Sequence, residues 1–222
     1  MIYIVVSVTL FISDAGKFWI NRAYQIYYTK LSLSVGKTMK NFCYFTNWSN
    51  KYANFDARFD IRDINATLCS HLIYAFAKID YVKMRLARAY PDDDNGQLTN
   101  KKGRFFEFNK LKINYPHLVT LLSIGGQDAA GFQQVVANKE TMVTFVRNVA
   151  IYLRDRDFDG IDIDWEWPGD TYRSKFTTLL KVMVDSIAML KLYVLTLSVY
   201  PLITQTHLNA YIISSKSMCT YS

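Results

Sequence analysis

The sequence predicts an α/β fold built on a parallel β-sheet. Three observations lead to this prediction. Apolar runs of strand length recur between residues 41 and 200, amphipathic helical patterns separate the later runs, and the runs start about 38 residues apart on average. Strands that alternate with helices are typical of parallel sheets. The chain has 222 residues, half of them apolar, and is therefore long enough to form a sizeable core.

Five segments carry the strand pattern. Each is rich in β-branched, aromatic or other large apolar residues, which favour strands. In chain order they are 41–48 (NFCYFTNW), 71–79 (HLIYAFAKI), 118–126 (LVTLLSIGG), 158–166 (FDGIDIDWE) and 192–200 (LYVLTLSVY).

Two helices are predicted between the last three strands, because apolar residues three and four apart share one helix face. In segment 140–154 these residues are Met142, Phe145, Val146 and Val149. In segment 174–191 they are Phe176, Leu179, Leu180, Met183 and Ile187. Segment 90–103 (YPDDDNGQLTNKKG) is polar and rich in turn residues, and it predicts a surface loop between the second and third strands.

The first 15 residues predict a secretory signal peptide. Their apolar run is too short to span a membrane, which needs about 20 residues. Ser13 and Ala15 provide the small side chains expected before cleavage at Gly16. Since no Lys or Arg precedes the run, a buried strand or a mis-assigned start are the alternatives. Segment 16–39 shows no clear period and has no assigned role, and segment 40–222 is predicted to form one domain.

Charge and cysteine content restrict the function classes. The net charge is +7, but the basic residues are scattered, and Lys101, Lys102 and Arg104 form the densest cluster. This pattern indicates a solvated surface rather than a nucleic-acid site. The odd number of cysteines leaves one unpaired if the others form a disulfide. Two glycosylation sequons, Asn47-Trp48-Ser49 and Asn65-Ala66-Thr67, matter only if the chain is secreted.

The fourth strand segment carries three acids on one face. Alternate residues of a strand point to opposite sides, so Asp162, Asp164 and Glu166 share one face. The other face is apolar and suits a covering layer of helices. Burying an unpaired carboxylate is costly, and neighbouring like charges raise each other's pKa. A solvated face of an edge strand would avoid this cost, but the flanking helices argue against it.

A calcium-binding loop is the other alternative for these acids. Asp155, Asp157, Asp159, Gly160 and Glu166 have the spacing of an EF-hand loop. Against it, the eighth position of that loop is Asp162 where an apolar residue is expected. Pro168 and Gly169 follow where an exit helix should continue.

The arrangement favours acid catalysis over both alternatives. Asp162 and Asp164 are expected to share a proton, and their charge is expected to keep Glu166 protonated near neutral pH. A protonated Glu at the carboxyl end of a parallel strand is placed to donate to a leaving group, since α/β barrels carry their chemistry at that end.

Segment 158–169, FDGIDIDWEWPG, resembles the D-G-x-D-x-D-x-E signature of family-18 glycoside hydrolases, the chitinase family. CYFTNW (43–48), CSHLIYAFAKI (69–79) and LLSIGG (121–126) are similar to the first three barrel strands of animal chitinases, in the family's order. The resemblance covers about 40–200 and implies an incomplete (β/α)8 barrel of the TIM type. About five of the eight βα units are present, because eight units at this spacing would extend well beyond residue 222.

The resemblance implies a role for each acid. Glu166 corresponds to the general acid, Asp164 to the residue that orients the substrate's N-acetyl group, and Asp162 to its partner. The family is an exception to two-carboxylate hydrolysis, because the substrate's own acetamido oxygen is the nucleophile. Asp159 lies in the opposite phase and is expected to form structural hydrogen bonds.

The resemblance also implies a sugar site and a disulfide. Cys43 and Cys69 match a disulfide between the first two strands, which leaves Cys219 unpaired. The substrate-binding positions are Tyr44, Phe76, Gly125, Gly126, Gln127, Asp128 and Trp167. The alternative for Tyr44 and Phe76 is a place in the barrel core. Gln127 replaces a stacking Trp of animal chitinases, and the family's sixth-strand Met-x-Tyr-Asp and eighth-strand Trp are absent.

The sequence therefore predicts a secreted, monomeric, endochitinase-like hydrolase, truncated at its C-terminus, that binds chitin or chitooligosaccharides. We expect neither a cofactor nor a catalytic metal, no nucleic acid, and no membrane association beyond the signal peptide. A non-catalytic chitin-binding or lectin-like protein is the alternative. The family's lectins usually replace the general acid, which this chain retains as Glu166.

Overall fold

The computed structural model describes residues 7–12, 18–19, 40–94, 102–127, 129–190 and 194–198. Within these residues the strands are β1 (Ser7–Ile12), β2 (Phe18–Trp19), β3 (Phe42–Thr46), β4 (His71–Asp80), β5 (Arg85–Ala87), β6 (Val119–Gly126), β7 (Gly160–Trp165) and β8 (Val194–Ser198). The helices are α1 (Arg104–Asn109), α2 (Leu111–Asn114), α3 (Phe132–Val135), α4 (Lys139–Asp155) and α5 (Gly169–Leu190).

A parallel sheet forms the centre of the fold. Strands β3, β4, β6, β7 and β8 are neighbours in that order, and each pairs parallel with the next. They coincide with the five predicted strands, and the α/β fold with a partial barrel is confirmed. The short strand β5 returns antiparallel on β4.

The N-terminal apolar run forms a strand in the structure. Residues Ser7 to Leu10 of β1 pair antiparallel with Leu195 to Ser198 of β8, and β2 pairs with β1. The signal peptide with cleavage before Gly16 stays a prediction, and so does its buried-strand alternative, because the burial of β1 is not described. Residues 20–39 lie outside the described part of the chain.

The outer face of the sheet packs against helices α4 and α5. Ile161, Ile163 and Trp165 of β7 belong to one buried core with the apolar faces of both helices. All four positions predicted for the α4 face are buried, as are Phe176, Leu179, Leu180 and Met183 of α5. Ile187 lies beyond the residues whose burial is described. Helix α4 begins at a capping box, in which Asn138 and Thr141 bond each other's backbone amides.

The connection between β4 and β6 is more structured than predicted, and the acids around β7 do not form a calcium loop. The connection between β4 and β6 contains β5 and the short helices α1 and α2 as well as the predicted loop, whose residues 95–101 lie outside the described part. Helices of six and four residues are too short to show a helical period. The calcium-loop alternative is wrong, because residues after Asp155 turn and enter β7, which pairs with β6 from Gly160 to Trp165.

Candidate active site

Asp162 and Asp164 lie on the face of β7 opposite its apolar residues Ile161, Ile163 and Trp165. Asp162 is fully buried and Asp164 is 5% exposed. Glu166 follows the last residue of the strand and is half-buried. In the register of the sheet, Asp162 lies opposite Ser123 and Asp164 opposite Gly125 of β6.

Two hydroxyl groups donate to Asp162. Tyr44 on β3 donates its phenol to Oδ2 at 3.1 Å, and Ser123 on β6 donates to the same oxygen at 2.7 Å. Tyr44, expected to line the sugar site or the core, therefore reaches into the acid cluster. Ser123 was missed as a site residue, although it is the Ser of the quoted LLSIGG motif.

Asp164 has a perturbed carboxyl group. Burial, and then the charges of Asp162 and Glu166, raise its pKa to about 7. Its Oδ1 atom is buried and has no hydrogen-bond partner among the described residues. Asp164 can therefore hold a proton near neutral pH and has a carboxyl oxygen left for a ligand group.

The end of β6 comes close to both β7 and β4. Gly125 (φ +118°) and Gly126 (φ +67°) adopt conformations that side chains disfavour. A Cβ on Gly125 would overlap the backbone carbonyl of Asp164, and one on Gly126 would lie 2.9 Å from the Phe76 ring. Both glycines therefore allow close approach of protein groups, and their predicted role in binding the sugar stays a prediction.

Aromatic side chains occupy positions near the carboxyl ends of β3, β4 and β7. Phe76 is half-buried and stacks on Trp48, with ring centroids 6.0 Å apart and planes 18° apart. Trp167 is 50% exposed just beyond Glu166. The peptide bonds before Phe76 and Trp167 are cis. Trp48 was missed as a site residue, although it ends the quoted CYFTNW segment.

The remaining predicted residues divide into structural positions and solvent-facing ones. Asp159 accepts bonds from the Thr120 amide at 2.8 Å and from Lys112 at 3.1 Å, so its environment is structural. The Cys43–Cys69 disulfide is confirmed, with Cα atoms 5.9 Å apart. Gln127 is exposed, whereas Asp128 and Cys219 lie outside the described residues.

Within the described part of the chain, no helix is long and apolar enough to cross a membrane. The same residues contain no group of three or more metal-ligating side chains. The site described above is a row of interacting carboxyls on β7 and just after its carboxyl end, with aromatic residues on neighbouring segments. This fold and site define an α/β-barrel protein equipped for acid–base chemistry.

The chain belongs to glycosyl hydrolases family 18, whose family model matches residues 40–215. It is 35% identical to mouse chitotriosidase-1 over 69% of this chain and 32% of that protein. It is 33% identical to human chitinase-3-like protein 2 over 70% of this chain and 38% of that protein. The chain thus spans about a third of the length of these curated relatives.

Solved structures give the same family. The Group IV chitinase of Ostrinia furnacalis superposes with a TM-score of 0.62 at 28% identity, covering 71% of this chain and 43% of that one. Human YKL-39, described as a pseudo-chitinase with retained chitooligosaccharide binding, superposes with a TM-score of 0.58 at 30% identity, covering 68% and 39%. The similar structures thus include one described as a pseudo-chitinase beside others named chitinases.

Proposed function

We propose that this chain carries the acid half of a chitinase site that hydrolyses β-1,4-linked N-acetylglucosamine polymers with retention at the anomeric carbon. The proposal rests on the placement of Asp162 and Asp164 on the inner face of β7, with Glu166 directly after the strand. It is supported by the pKa of Asp164, which is raised to about 7. A secreted, monomeric protein is part of this proposal. The Cys43–Cys69 disulfide supports secretion, since disulfides persist in oxidising compartments.

In the proposed reaction Glu166 donates its proton to the glycosidic oxygen as the bond to the anomeric carbon breaks. The carbonyl oxygen of the substrate's acetamido group attacks that carbon from the opposite side and forms an oxazolinium ion. The Glu166 carboxylate then takes a proton from a water molecule, whose oxygen attacks the anomeric carbon and reopens the ring. Two inversions at one carbon give net retention.

Asp164 orients the acetamido group in this scheme. Its Oδ1 atom, without a partner among the described residues, is free to accept a hydrogen bond from the acetamido N–H. That bond would orient the acetamido oxygen toward the anomeric carbon and stabilise the positive charge of the oxazolinium ion. Asp162, held by Tyr44 and Ser123, supplies the neighbouring charge.

A non-catalytic chitooligosaccharide-binding protein is the second candidate. Gln127, which is exposed where animal chitinases carry a stacking Trp, favours it, and so does the structural similarity to the pseudo-chitinase YKL-39. Glu166 favours catalysis, since a purely binding protein does not need a proton donor at that position.

The test replaces Glu166 by Gln, which keeps size and hydrogen bonding but removes the acidic proton. In the chain extended by the last three barrel units of a family-18 relative, we expect hydrolysis of a fluorogenic chitobioside to fall about 10²–10⁴-fold. Residues 1–222 alone should show little turnover, because the family residues that hold the acetamido group on later strands are absent.

Glu140→Gln, an equivalent change at an exposed position of α4, is the matched control and should retain activity. If the extended protein binds chitooligosaccharides but hydrolyses none, the second candidate is correct. If the Glu166→Gln variant retains full activity, Glu166 is not the general acid.

A further inference from the structure

A buried polar network adjoins the stacked Trp48–Phe76 pair of the candidate site. Asn47 follows the end of β3 and is 1% exposed. Its backbone amide donates to the Ala75 carbonyl at 2.8 Å. Its side-chain amide donates to the Phe76 carbonyl at 3.0 Å and to Asp93 Oδ2 at 3.1 Å. Both side-chain N–H groups of Asn47 are therefore used, one on each side.

Asp93 anchors this network from the loop after β5. The carboxyl is fully buried and accepts from the Tyr74 hydroxyl at 2.5 Å. The backbone amides of Ala89 and Tyr90 donate to it at 3.1 and 2.8 Å. Burial raises the pKa of Asp93, while these hydrogen bonds act in the opposite direction. Asn47 thus donates to a carboxylate that also accepts hydrogen bonds from Tyr74 and from two backbone amides.

The bond from Asn47 to Phe76 compensates for an irregularity in the sheet. β4 pairs with β6 at Ala75–Ser123 and again at Ala77–Ile124, so Phe76 occupies a bulge between the two pairs. The extra residue of a bulge falls out of the ladder, and its polar groups need other partners. Asn47 supplies the donor for the Phe76 carbonyl.

This arrangement holds the backbone next to Trp48 and the backbone of Phe76, the two residues whose rings stack. The Phe76 ring lies over Gly126 and stacks on Trp48, the residue next to Asn47. We propose that Asn47 and Asp93 are positioning residues that hold the Trp48–Phe76 pair in place for the sugar. This inference deepens the proposed function and rests on it for the identity of the ligand.

An amide at position 47 is specifically required. Aspartate has no N–H group to donate, and it would place a second carboxylate against Asp93. Alanine leaves the Phe76 carbonyl without its donor, while Asp93 keeps Tyr74 and two backbone amides. The neighbouring ion pair between Asp94 and Arg156, with Nε at 2.8 Å from Oδ2, is also buried and joins the same loop to the residue after α4. Asp94→Asn is therefore the matched control for general destabilisation.

The first experiment needs no ligand. The fluorescence of each protein minus that of its Trp48→Phe counterpart reports on Trp48, and acrylamide quenching measures its exposure. We expect Asn47→Ala to raise the quenching constant of Trp48 at least twofold and Asp94→Asn to leave it unchanged. Equal quenching in Asn47→Ala and wild type would overturn the inference. So would loss of the fold, measured by circular dichroism, in Asn47→Ala and in the double variant Asn47→Asp/Asp93→Asn while Asp94→Asn folds, because Asn47 would then be a folding residue.

The second experiment exchanges the side chains of residues 47 and 93. The double variant Asn47→Asp/Asp93→Asn restores an amide–carboxylate pair but leaves position 47 without a donor for Phe76. We expect it to fold and still to show raised Trp48 quenching. Chitotetraose affinity, measured by calorimetry, should fall at least fivefold in Asn47→Ala and in the double variant, and stay within twofold in Asp94→Asn. Wild-type values in the double variant would overturn the inference. If no protein binds chitotetraose, the proposed substrate fails, and the quenching result still decides the role of Asn47.

Discussion

At the scale of single residues, Asp164 joins the sequence pattern to the chemistry. Alternation along β7 was enough to place it on the inner face, and its neighbours Asp162 and Glu166 were evident from their spacing. The structure adds the pKa of Asp164, which residue spacing cannot predict. Burial comes first among the causes that raise the pKa of Asp164 to about 7, ahead of the charges of Asp162 and Glu166. Asp164 lies opposite Gly125 of β6, a strand far from β7 in sequence, so its burial depends on the pairing of these two strands.

This pKa predicts that stability falls as pH rises. The pKa of Asp164 is about 7 in the folded state, above its ordinary value of 3.8, so the folded state binds the proton more tightly than the unfolded state. Between about pH 4 and 7 the folded state therefore carries more protons, and the free energy of unfolding decreases with pH. We expect thermal denaturation to show a lower Tm at pH 8 than at pH 5.

In Asp164→Asn the part of this decrease due to Asp164 should vanish, which makes the pH dependence of Tm flatter. Asp170→Asn, an exposed change on α5, should keep the wild-type slope. An unchanged slope in Asp164→Asn would show that the carboxyl titrates alike in both states.

The two glycosylation sequons differ at the same scale. The side-chain amide nitrogen of buried Asn47 donates to Phe76 and Asp93, whereas Asn65 is exposed and the described bonds of its side chain use only Oδ1. When the chain is expressed through a secretory pathway, we expect a glycan on Asn65 and none on Asn47 of the folded protein. Enzymatic removal of N-glycans should lower the mass of wild type and leave the mass of Asn65→Gln unchanged. A glycan found by peptide mapping on Asn47 of disulfide-bonded protein would contradict the buried network.

At the scale of elements, regular structure could be predicted and irregular structure could not. The five strands and the helices α4 and α5 are long enough to show their periods in the sequence. The bulge at Phe76 could not be predicted, because it depends on the register between β4 and β6. The partnership of Asn47 with Asp93 was missed for a similar reason, since 46 residues separate them and the contact forms only when the strand ends meet.

The end of β6 gives a test at this scale. A Cβ on Gly125 would overlap the Asp164 carbonyl, and its φ of +118° strains any side chain, so Gly125→Ala should separate β6 from β7 beside the acids. We expect a clearly lower Tm and loss of chitooligosaccharide binding. Gly169→Ala is the matched control, because Gly169 also has a positive φ (+57°) but nothing within 4 Å of a Cβ. It should cost only about 1 kcal/mol of backbone strain. Equal effects in the two variants would show that the close contact at Gly125 does not matter.

At the scale of the whole molecule, the edges of the partial barrel determine which further strands the sheet can pair with. In a complete barrel each strand has parallel neighbours on both sides, so the next strand would pair along the free side of β8. In this structure the antiparallel strand β1 pairs on that side of β8. The two arrangements exclude each other, because one strand edge can pair with only one partner. In the uncleaved chain, which keeps residues 1–15, β1 therefore protects an edge of β8 that the extended barrel would use.

This exclusion gives opposite expectations for one substitution in two proteins. Thr9 lies in the middle of β1, opposite Thr196, and proline there removes a backbone donor and disrupts strand pairing. In residues 1–222, Thr9→Pro should uncover the β8 edge, and exposed edges pair with other chains. Sedimentation velocity should then show concentration-dependent association, whereas wild type and Thr9→Val stay monomeric. In the chain extended by the last three barrel units, the same substitution should cause no association, because the added strand covers β8. Association of Thr9→Pro in both proteins, or in neither, would show that β1 does not occupy the position of the next barrel strand.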